Sequence, residues 1–235
     1  MRLRPVYSVG ETDGRILDHP DPLELDRLLP GSGPWVVELG YGKGRFLLEQ
    51  ARSHPDRRFL GVEVVSKYYK MLTRRARHRG VGNLLNIRGE ALYLLSTLLP
   101  RGFADHLHVY FPDPWPKAKH HRRRLFDPET VDLVLGVLAP GARLSFATDF
   151  LEYGHLVHEI LEGYPGFEVE IVDGLWPGGA RTNYEAKYER EGRPILRLRG
   201  RLEADTEPKP ALHPEGRDGI LAACAAKGKD DVATP

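Results

Sequence analysis

The sequence is poor in cysteine, in net charge and in long apolar runs. Its 235 residues include one cysteine, Cys224, so no disulfide can form within the chain, which is typical of a reducing cytoplasm. No run of 18 apolar residues occurs, so no membrane span is predicted, and the charged first residues are not followed by the apolar core of a secretory signal. The net charge is +1, from 34 basic and 33 acidic residues. Any contact with an acidic polymer must therefore come from local basic patches.

Short apolar runs alternate with helical segments between residues 35 and 202. The apolar runs predict strands at 35–39, 58–63, 84–88, 106–111, 143–148, 167–172 and 194–199. Helical patterns occur at 44–53, 66–79, 91–98, 128–138 and 151–163. This alternation is typical of an α/β fold, with a mostly parallel sheet covered by helices on both faces. No clear helix separates the last two strands, which predicts an antiparallel pair at the C-terminal end.

The segments on either side of this domain differ from it in composition. Residues 1–34 are rich in proline and glycine, and a short apolar pattern at 23–29 predicts a helix that docks on the main domain. Residues 203–235 contain four prolines and few large apolar side chains, which predicts a disordered tail. The sequence thus predicts an N-terminal extension at 1–34, a folded domain at 35–202 and a tail at 203–235.

The best-defined motif is a glycine loop after the first predicted strand. Residues 36–44 read Val-Val-Glu-Leu-Gly-Tyr-Gly-Lys-Gly, and a helical pattern begins directly after them. Gly40, Gly42 and Gly44 let the backbone turn sharply and let a ligand lie against the main chain. Their G-x-G-x-G spacing differs from the G-x-G-x-x-G of dinucleotide-binding loops. Glu38 precedes the loop, where its carboxylate would repel a pyrophosphate and attract a cationic amino group.

Two further acidic residues follow the next two predicted strands. Glu63 ends the second strand, where a carboxylate can accept hydrogen bonds from both hydroxyls of an adenosine ribose. Glu90, followed by Ala91, comes after the third strand. Doubly wound sheets bind ligands at the carboxyl ends of their strands. Because these acids and Glu38 accompany a glycine loop, the sequence predicts a cationic adenosine ligand, S-adenosylmethionine, rather than NAD.

A stiff aromatic turn follows the fourth predicted strand. Residues 110–117 read Tyr-Phe-Pro-Asp-Pro-Trp-Pro-Lys, and three prolines in five residues hold the chain extended. The turn places an acid, Asp113, an indole, Trp115, and a cation, Lys117, beside the predicted donor pocket. An aromatic wall and a carboxylate that can bond a base edge are what an enzyme acting on a nucleobase needs.

A run of positive charge continues from this turn. Residues 117–124 contain five basic residues and two histidines, in a chain that is otherwise nearly neutral. We interpret the run as a contact for nucleic-acid phosphates. The residues assigned to this contact are Lys119, His120, His121, Arg122, Arg123 and Arg124. A second set of basic residues recurs at helical spacing within 67–78, and it either extends the phosphate contact or solubilises a helix.

Five motifs occur in the order found in one enzyme family. They are Glu38–Gly44, Phe59–Glu63, Phe111–Lys117, Ala147–Asp149 and Thr182–Lys187. On these motifs the chain resembles the bacterial tRNA (guanine-N7)-methyltransferases over roughly residues 35–200. The resemblance implies a Rossmann-like, seven-stranded class I methyltransferase sheet, mostly parallel with an antiparallel C-terminal strand pair. It also implies methyl transfer from S-adenosylmethionine to guanine 46 in the variable loop of tRNA.

The resemblance assigns roles to individual residues. The expected donor-site residues are Glu38, Gly40, Gly42, Gly44, Glu63, Glu90, Ala91 and Asp113. Asp113 is also the expected catalytic residue. The expected substrate contacts are Lys117, Asp149, Thr182 and Glu185. One departure is Glu90, because the family usually has Asp or Asn before Ala at this position.

The chemistry of guanine fits these assignments. N7 carries a lone pair and no proton, so it can attack a sulfonium methyl group without a general base, and positioning supplies most of the acceleration. Asp113 is expected to stabilise the positive charge that the ring acquires. Either Asp149 or Glu185 is expected to accept hydrogen bonds from N1–H and N2–H of guanine and so to reject adenine.

Three other functions fit parts of the sequence. An adenine amino-group methyltransferase would share the acid–proline–aromatic turn. An NAD-dependent oxidoreductase would share the glycine loop and Glu63, but it leaves Glu38, the turn and the basic run unexplained. A non-catalytic RNA-binding subunit would share the fold and the basic run.

No metal site is predicted. His106 and His108 alternate along one strand, and His155 and His158 lie three apart on a helix, but neither pair has further ligands at metal-binding spacing. The predicted partner is tRNA. The sequence requires no protein partner and leaves a homodimer open.

Overall fold

The computed structural model describes residues 6–9, 12–15 and 23–206. The strands in these ranges are β1 (Val6–Val9), β2 (Thr12–Arg15), β3 (Trp35–Leu39), β4 (Arg58–Glu63), β5 (Leu84–Arg88), β6 (Ala104–Tyr110), β7 (Leu138–Thr148), β8 (Phe167–Ile171) and β9 (Leu196–Leu202). The helices are α1 (Leu25–Leu28), α2 (Arg45–Ser53), α3 (Ser66–His78), α4 (Ala91–Thr97), α5 (Val131–Leu135), α6 (Leu151–Glu162) and α7 (Asn183–Arg190), and a 3₁₀ helix covers Ala118–Arg123. Among the described helices, none has the length and apolar character needed to cross a membrane.

All nine strands form one sheet, in the order β2-β1-β5-β4-β3-β6-β7-β9-β8. The strands from β5 to β7 in this order are parallel, whereas β9 is antiparallel to both β7 and β8. This confirms the predicted α/β class with an antiparallel C-terminal end. From β3 the chain moves outward through β4 to β5 and then returns to β6 on the other side of β3. Such a reversal leaves a crevice at the carboxyl ends of the strands.

Helices cover both faces of the central sheet. Successive residues of a strand point to opposite faces. Val36 and Phe59 accordingly pack with α2 and α3, whereas Val37 and Leu60 belong to the larger core cluster that includes α4, α5 and α6. All five residues of β3 are buried, as expected for a parallel strand that is covered on both sides.

The sheet is wider than the seven predicted strands because of an N-terminal hairpin. β1 pairs antiparallel with β2 and with β5, and Ser8 Oγ lies 3.0 Å from Thr73 Oγ1 of α3. The sequence of β2, Thr-Asp-Gly-Arg, has no apolar alternation, so no strand was predicted there. In the segment predicted to form a docking helix, Leu25 and Leu29 are buried in the larger core cluster. The predicted domain boundaries stay predictions, and the tail lies outside the described residues beyond 206.

The C-terminal half differs from the prediction in two elements. The predicted helix at 128–138 is only Val131–Leu135, and β7 begins already at Leu138, although Pro140 and Gly141 disfavour a strand there. The helix α7 lies between β8 and β9, where the sequence analysis found none. Its sequence, NYEAKYER, lacks apolar periodicity because the one buried residue is an ion-paired Glu185.

Candidate active site

The loop after β3 contains three glycines with positive φ. Gly40, Gly42 and Gly44 have φ of 70°, 55° and 64°, a region that residues with a Cβ rarely adopt. A Cβ on Gly44 would lie 2.9 Å from Leu72 Cδ1, so the close packing of the loop against α3 requires glycine. A Cβ on Gly40 or Gly42 would meet nothing within 4 Å. The loop therefore presents open backbone on which a ligand can lie.

Glu63, at the end of β4, ties two loops together. It is buried, its Oε2 accepts a hydrogen bond from Gly42 N at 2.8 Å, and its Oε1 accepts one from Val65 N at 2.8 Å. Each carboxylate oxygen has a second lone pair. Glu63 thus fixes the glycine loop while its predicted ribose contact stays open.

Glu90 caps the first turn of α4. Its Oε1 accepts a hydrogen bond from Leu92 N at 3.1 Å, and its Oε2 accepts one from Tyr93 N at 2.7 Å. A side chain at this position satisfies backbone donors that the helix itself leaves unpaired. The predicted contact of Glu90 with the donor stays a prediction, whereas its role in starting α4 is a feature of the fold.

Glu38 is buried directly before the glycine loop. It is 2% exposed, and its Oε2 has no hydrogen-bond partner within the described part of the chain. Burial, and then the charge of Glu63, raise the pKa of Glu38 to about 8, against a smaller opposite effect of a backbone hydrogen bond at Leu47. At pH 7 the side chain is therefore largely protonated unless a cation lies beside it.

A cavity of about 150 Å³ lies at the carboxyl ends of β3, β4, β5 and β6. Five of the predicted donor-site residues line this donor cavity, namely Gly40, Glu63, Glu90, Ala91 and Asp113. Pro112, Trp115 and Arg123 line it as well, whereas Glu38, Gly42 and Gly44 do not. The fold thus brings residues from four strand ends, far apart in sequence, to one place.

The aromatic turn after β6 is strained. Phe111 and Trp115 have φ of 52° and 42°, the only positive values among the described residues other than glycine. Such conformations cost about 1–3 kcal/mol each and cluster at functional sites. Strain on both sides of Asp113 indicates that the position of this carboxylate is set by the fold rather than by local preference.

Two basic side chains lie close to the ring of Trp115. The guanidinium of Arg123 lies 4.9 Å from the centre of the indole ring, and the ring of His120 lies 5.8 Å from it. A cation over the face of an indole is attracted by the negative charge of the ring face. The stack fixes the orientation of the aromatic wall of the donor cavity.

The basic segment divides into exposed and buried members. Lys117 and Lys119 are exposed, and the side chain of Arg122 lies outside the described structure. Arg124 is 3% exposed, and its Nε donates a hydrogen bond to Pro114 O at 2.8 Å. His121 has a buried Nε2. Arg124 therefore supports the turn from within, and its predicted contact with RNA stays untested.

Two predicted substrate residues lie at the N-terminal end of α7. Thr182 is the N-cap, and its Oγ1 accepts a hydrogen bond from Glu185 N at 3.1 Å. Glu185 is fully buried, and its two oxygens accept hydrogen bonds from Arg197 Nε at 2.8 Å and from Arg181 N at 2.7 Å. Glu185 thus joins α7 to β9 and is not among the residues that line the donor cavity. A Thr-x-x-Glu pattern is a known helix start, so this signal could have predicted α7.

Asp149, directly after β7, remains accessible. Its side chain is 31% exposed, and its Oδ2 lies 3.8 Å from a guanidinium nitrogen of Arg193. A pair at this distance and exposure is weak. Of the two acids predicted to contact the guanine edge, Asp149 is the one that a ligand can reach in this arrangement.

An aromatic group that the sequence analysis did not single out lies beside Asp113. Phe111, Tyr184 and Tyr188 have ring centres 5.6–6.4 Å apart. Tyr184 is 48% exposed. Burial, and then Tyr68, raise the pKa of Tyr184, with a smaller effect from the nearby charge of Asp113. The sequence carries a signal for this group. Tyr184 lies within the motif Thr182–Lys187 and Tyr188 follows four residues later, a spacing that puts both rings on one face of a helix.

The described residues contain no group of three or more histidine, cysteine, aspartate or glutamate side chains that could hold a metal ion. His106 and His108 stack with ring centres 3.9 Å apart, and His106 Nε2 lies 2.9 Å from Ser145 Oγ. The absence of a metal from the function remains a prediction from the sequence.

The sheet order and the glycine loop define a class I, S-adenosylmethionine-dependent methyltransferase fold. The structure is similar to the 16S rRNA methyltransferase KamB, with a TM-score of 0.58, 18% identity, and coverage of 84% of this chain and 99% of that one. It is also similar to a 16S rRNA (adenine(1408)-N(1))-methyltransferase from Catenulisporales acidiphilia solved with its cosubstrate, with a TM-score of 0.56, 19% identity, and coverage of 88% and 100%.

Sequence comparison gives the family. The family model described as "Putative methyltransferase" matches residues 32–198. The chain is 35% identical over 220 residues to the tRNA (guanine-N(7)-)-methyltransferase of Nitrosococcus oceani, covering 86% of this chain and 93% of the relative. It is 38% identical over 209 residues to the enzyme of that name from Alkalilimnicola ehrlichii, covering 80% and 87%. The chain therefore belongs to this methyltransferase family.

Proposed function

We propose that this chain transfers the methyl group of S-adenosylmethionine to N7 of guanine 46 in the variable loop of tRNA. The observation that carries the proposal is the donor cavity, where Gly40, Glu63 and Asp113 meet beside the strained aromatic turn. The names of the relatives support tRNA guanine as the target. The single cysteine supports a cytoplasmic location.

The residues around the donor cavity fit S-adenosylmethionine. This donor supplies an electrophilic sulfonium methyl group. Gly40 and Gly42 offer open backbone, and Glu63 keeps free lone pairs for ribose hydroxyls. Glu38 has a buried oxygen without a partner, and a cationic amino group beside it would lower its pKa and favour its charged form.

Asp113 is the proposed catalytic residue. Guanine N7 needs no general base, so the protein has to position the base and to stabilise the positive charge that the ring acquires. The strained turn contains Asp113, which lines the donor cavity, so its carboxylate can act on that charge.

The target base is proposed to stack on the exposed ring of Tyr184. Aromatic rings bind splayed-out bases by stacking, which is the usual route to single-stranded RNA targets. The rings of Phe111 and Tyr188 lie 6.4 and 6.1 Å from that of Tyr184 and limit its movement. We assign the hydrogen bonds to guanine N1–H and N2–H to Asp149, because both oxygens of Glu185 already accept hydrogen bonds inside the protein.

The RNA backbone is proposed to contact the exposed cations next to the donor cavity. Lys117 and Lys119 follow the aromatic turn, and Lys67, Lys70 and Arg74 are exposed on α3, which begins just after β4. Cations at these places can neutralise phosphates on both sides of the target nucleotide. No protein partner is required for this arrangement, and a homodimer stays open.

The experiment that tests the function is methyl transfer from labelled S-adenosylmethionine to an unmodified tRNA transcript and to a transcript with adenine at position 46. Transfer to the first alone, followed by mapping of N7-methylguanine, is the expected result. Transfer to both would contradict the assigned position. Transfer to neither, with the donor bound, would favour a non-catalytic RNA-binding subunit.

A further inference from the structure

A second cavity, of about 340 Å³, lies on the face of the sheet that α2 covers. Val36 and Phe59, near the amino ends of β3 and β4, line it together with Phe46 of α2 and the loop at 177–181. The donor cavity lies beyond the opposite ends of the same strands. None of the residues that line one cavity lines the other, so the two sites are separate.

The second cavity carries unbalanced positive charge. Two guanidiniums, of Arg57 and Arg181, line it, together with one carboxylate, Glu49. Glu49 already pairs with Arg45 on the same helix, at 3.3 Å. Within the described ranges neither Arg57 nor Arg181 forms an ion pair with a carboxylate. A partly enclosed site with two cations and no free anion favours a negatively charged ligand.

The Arg57 side chain forms few hydrogen bonds with the rest of the fold. Its Nε is buried and has no hydrogen-bond partner among the described residues. Its backbone oxygen, in contrast, accepts a hydrogen bond from Asn83 Nδ2 at 2.9 Å, which fixes the main chain. Because an unpaired buried donor costs free energy, an acceptor in the cavity would be bound favourably.

Arg181 is held in place by aromatic rings. Its guanidinium lies 4.1 Å from the ring of Trp176, which is 2% exposed, and its Nη1 donates a hydrogen bond to Tyr110 Oη. A guanidinium has five N–H donors in a fixed plane, so most of them remain for a ligand. The stack pre-organises the side chain and lowers the entropy cost of binding.

Two neutral imidazoles complete the polar wall. His106 and His108 line the cavity. Burial, and then the guanidiniums of Arg143, Arg181 and Arg57, lower the pKa of His106 to about 3. An uncharged imidazole has one ring nitrogen that donates and one that accepts. The rings therefore add hydrogen-bonding groups to the site without adding charge.

We propose that this cavity binds a small phosphate monoester, with its phosphoryl oxygens on Arg57 and Arg181 and its apolar body against Phe46 and Phe59. Two guanidiniums match the charge and the planar geometry that phosphate recognition uses. The volume of about 340 Å³ is that of a small-molecule site. The site is not part of the proposed methyl transfer. An RNA backbone bound beside the donor cavity would approach the carboxyl ends of the strands, whereas the second cavity lies near their amino ends.

Calorimetric titration of the full chain with phenyl phosphate, at constant ionic strength, tests the proposal. We expect binding at one site and a loss of affinity of about tenfold or more in Arg57→Gln, because a charge-assisted hydrogen bond is removed. Arg52→Gln is the matched control, since Arg52 is exposed on α2 and does not line the cavity. Gln50→Glu, which adds a negative charge to the lining, is expected to weaken binding as well and serves if Arg57→Gln is unstable.

Three results would overturn the proposal. The first is the absence of binding. The second is equal binding by the wild type, Arg57→Gln and Gln50→Glu, which would place the anion on the exposed cations. The third is displacement of phenyl phosphate by S-adenosylhomocysteine, which would place it in the donor cavity. None of these experiments measures methyl transfer. The phosphate site can therefore be disproved while the proposed methyltransferase function stands, and the function can be disproved while the phosphate site stands.

Discussion

The donor cavity and the second cavity lie on one sheet and have opposite charge. Acids line the first, and Glu63 and Glu90 each use both carboxylate oxygens to hold backbone N–H groups. Cations line the second, and Arg57 has a side-chain donor that no described residue uses. The acids of the donor cavity thus already hold backbone groups of its loops, whereas one side-chain donor of the second cavity has no partner among the described residues.

Arg181 connects the two regions. Its side chain lines the second cavity and bonds Tyr110, the residue before strained Phe111. Its backbone N–H donates a hydrogen bond to Glu185, in the first turn of α7. Substitutions on either side of Arg181 therefore test how far each region depends on its own charges.

Glu185→Gln, at the hydrogen-bond partner of Arg181 N, should lower stability more than the other substitutions below. Glutamine keeps one acceptor oxygen but turns an N–H group toward Arg181 N or Arg197 Nε, and Glu189, at 2.6 Å, is then the one carboxylate among the described residues that pairs with buried Arg197. The free energy of unfolding should therefore fall by about 3–5 kcal/mol. Urea denaturation measures the loss. Glu170→Gln, which breaks the exposed pair with Arg199, is the control and should cost less than about 1 kcal/mol. Equal losses in the two variants would contradict the structural role of Glu185.

On the donor side, Asp113→Ala should slow methyl transfer about 100- to 1,000-fold, because the charge on the base loses its electrostatic partner. Single-turnover rates with saturating donor and tRNA measure the effect on the chemical step. Asp105→Ala is the control, since Asp105 is half-exposed, pairs with Arg143 at 3.7 Å and lies outside both cavities. Full turnover by Asp113→Ala would remove Asp113 from the mechanism.

Glu38 should make stability depend on pH. Between pH 4.5 and about 8 the folded chain keeps a proton that the unfolded chain has released, so the free energy of unfolding should fall as the pH rises through this window. Glu38→Gln should lack this fall, which we expect to be of the order of 2 kcal/mol after relaxation of the site. Urea unfolding at pH 5 and pH 8 compares the two proteins. Parallel profiles would show that the buried carboxyl is charged in the folded state.

Glu90→Ala removes the cap of α4 and should have the weakest effect of these substitutions. It should lower the free energy of unfolding by about 1 kcal/mol. Glu90→Asp, with a shorter carboxylate that can still cap, should recover part of the loss. Thermal unfolding compares both variants. Glu162→Ala, at the exposed end of α6, is the control, because it also removes a glutamate charge but removes no helix cap. No difference among the three would leave Glu90 without a role in the fold.

The sequence allowed prediction of those parts that depend on local patterns. The central strands were predicted because each of β3 to β7 contains several buried apolar residues. The donor cavity was predicted because its residues belong to short contiguous motifs at strand ends. The helix α7 was missed because its buried residue is Glu185, which is ion-paired with Arg197, so the helix has no apolar stripe. The second cavity was missed because Arg57, His106 and Arg181 lie far apart in sequence and meet only through the sheet order and the loop around Trp176.

The strained turn has a consequence for attempts to stabilise this protein. Glycine at 115 would relax a backbone that tryptophan holds at a φ of 42°, but it would also remove the aromatic wall of the donor cavity. A directed evolution screen that rewards heat resistance alone would thus draw variants toward this position and away from activity. A library intended to preserve catalysis should keep residues 111–115 fixed and vary the exposed surface of α6 instead.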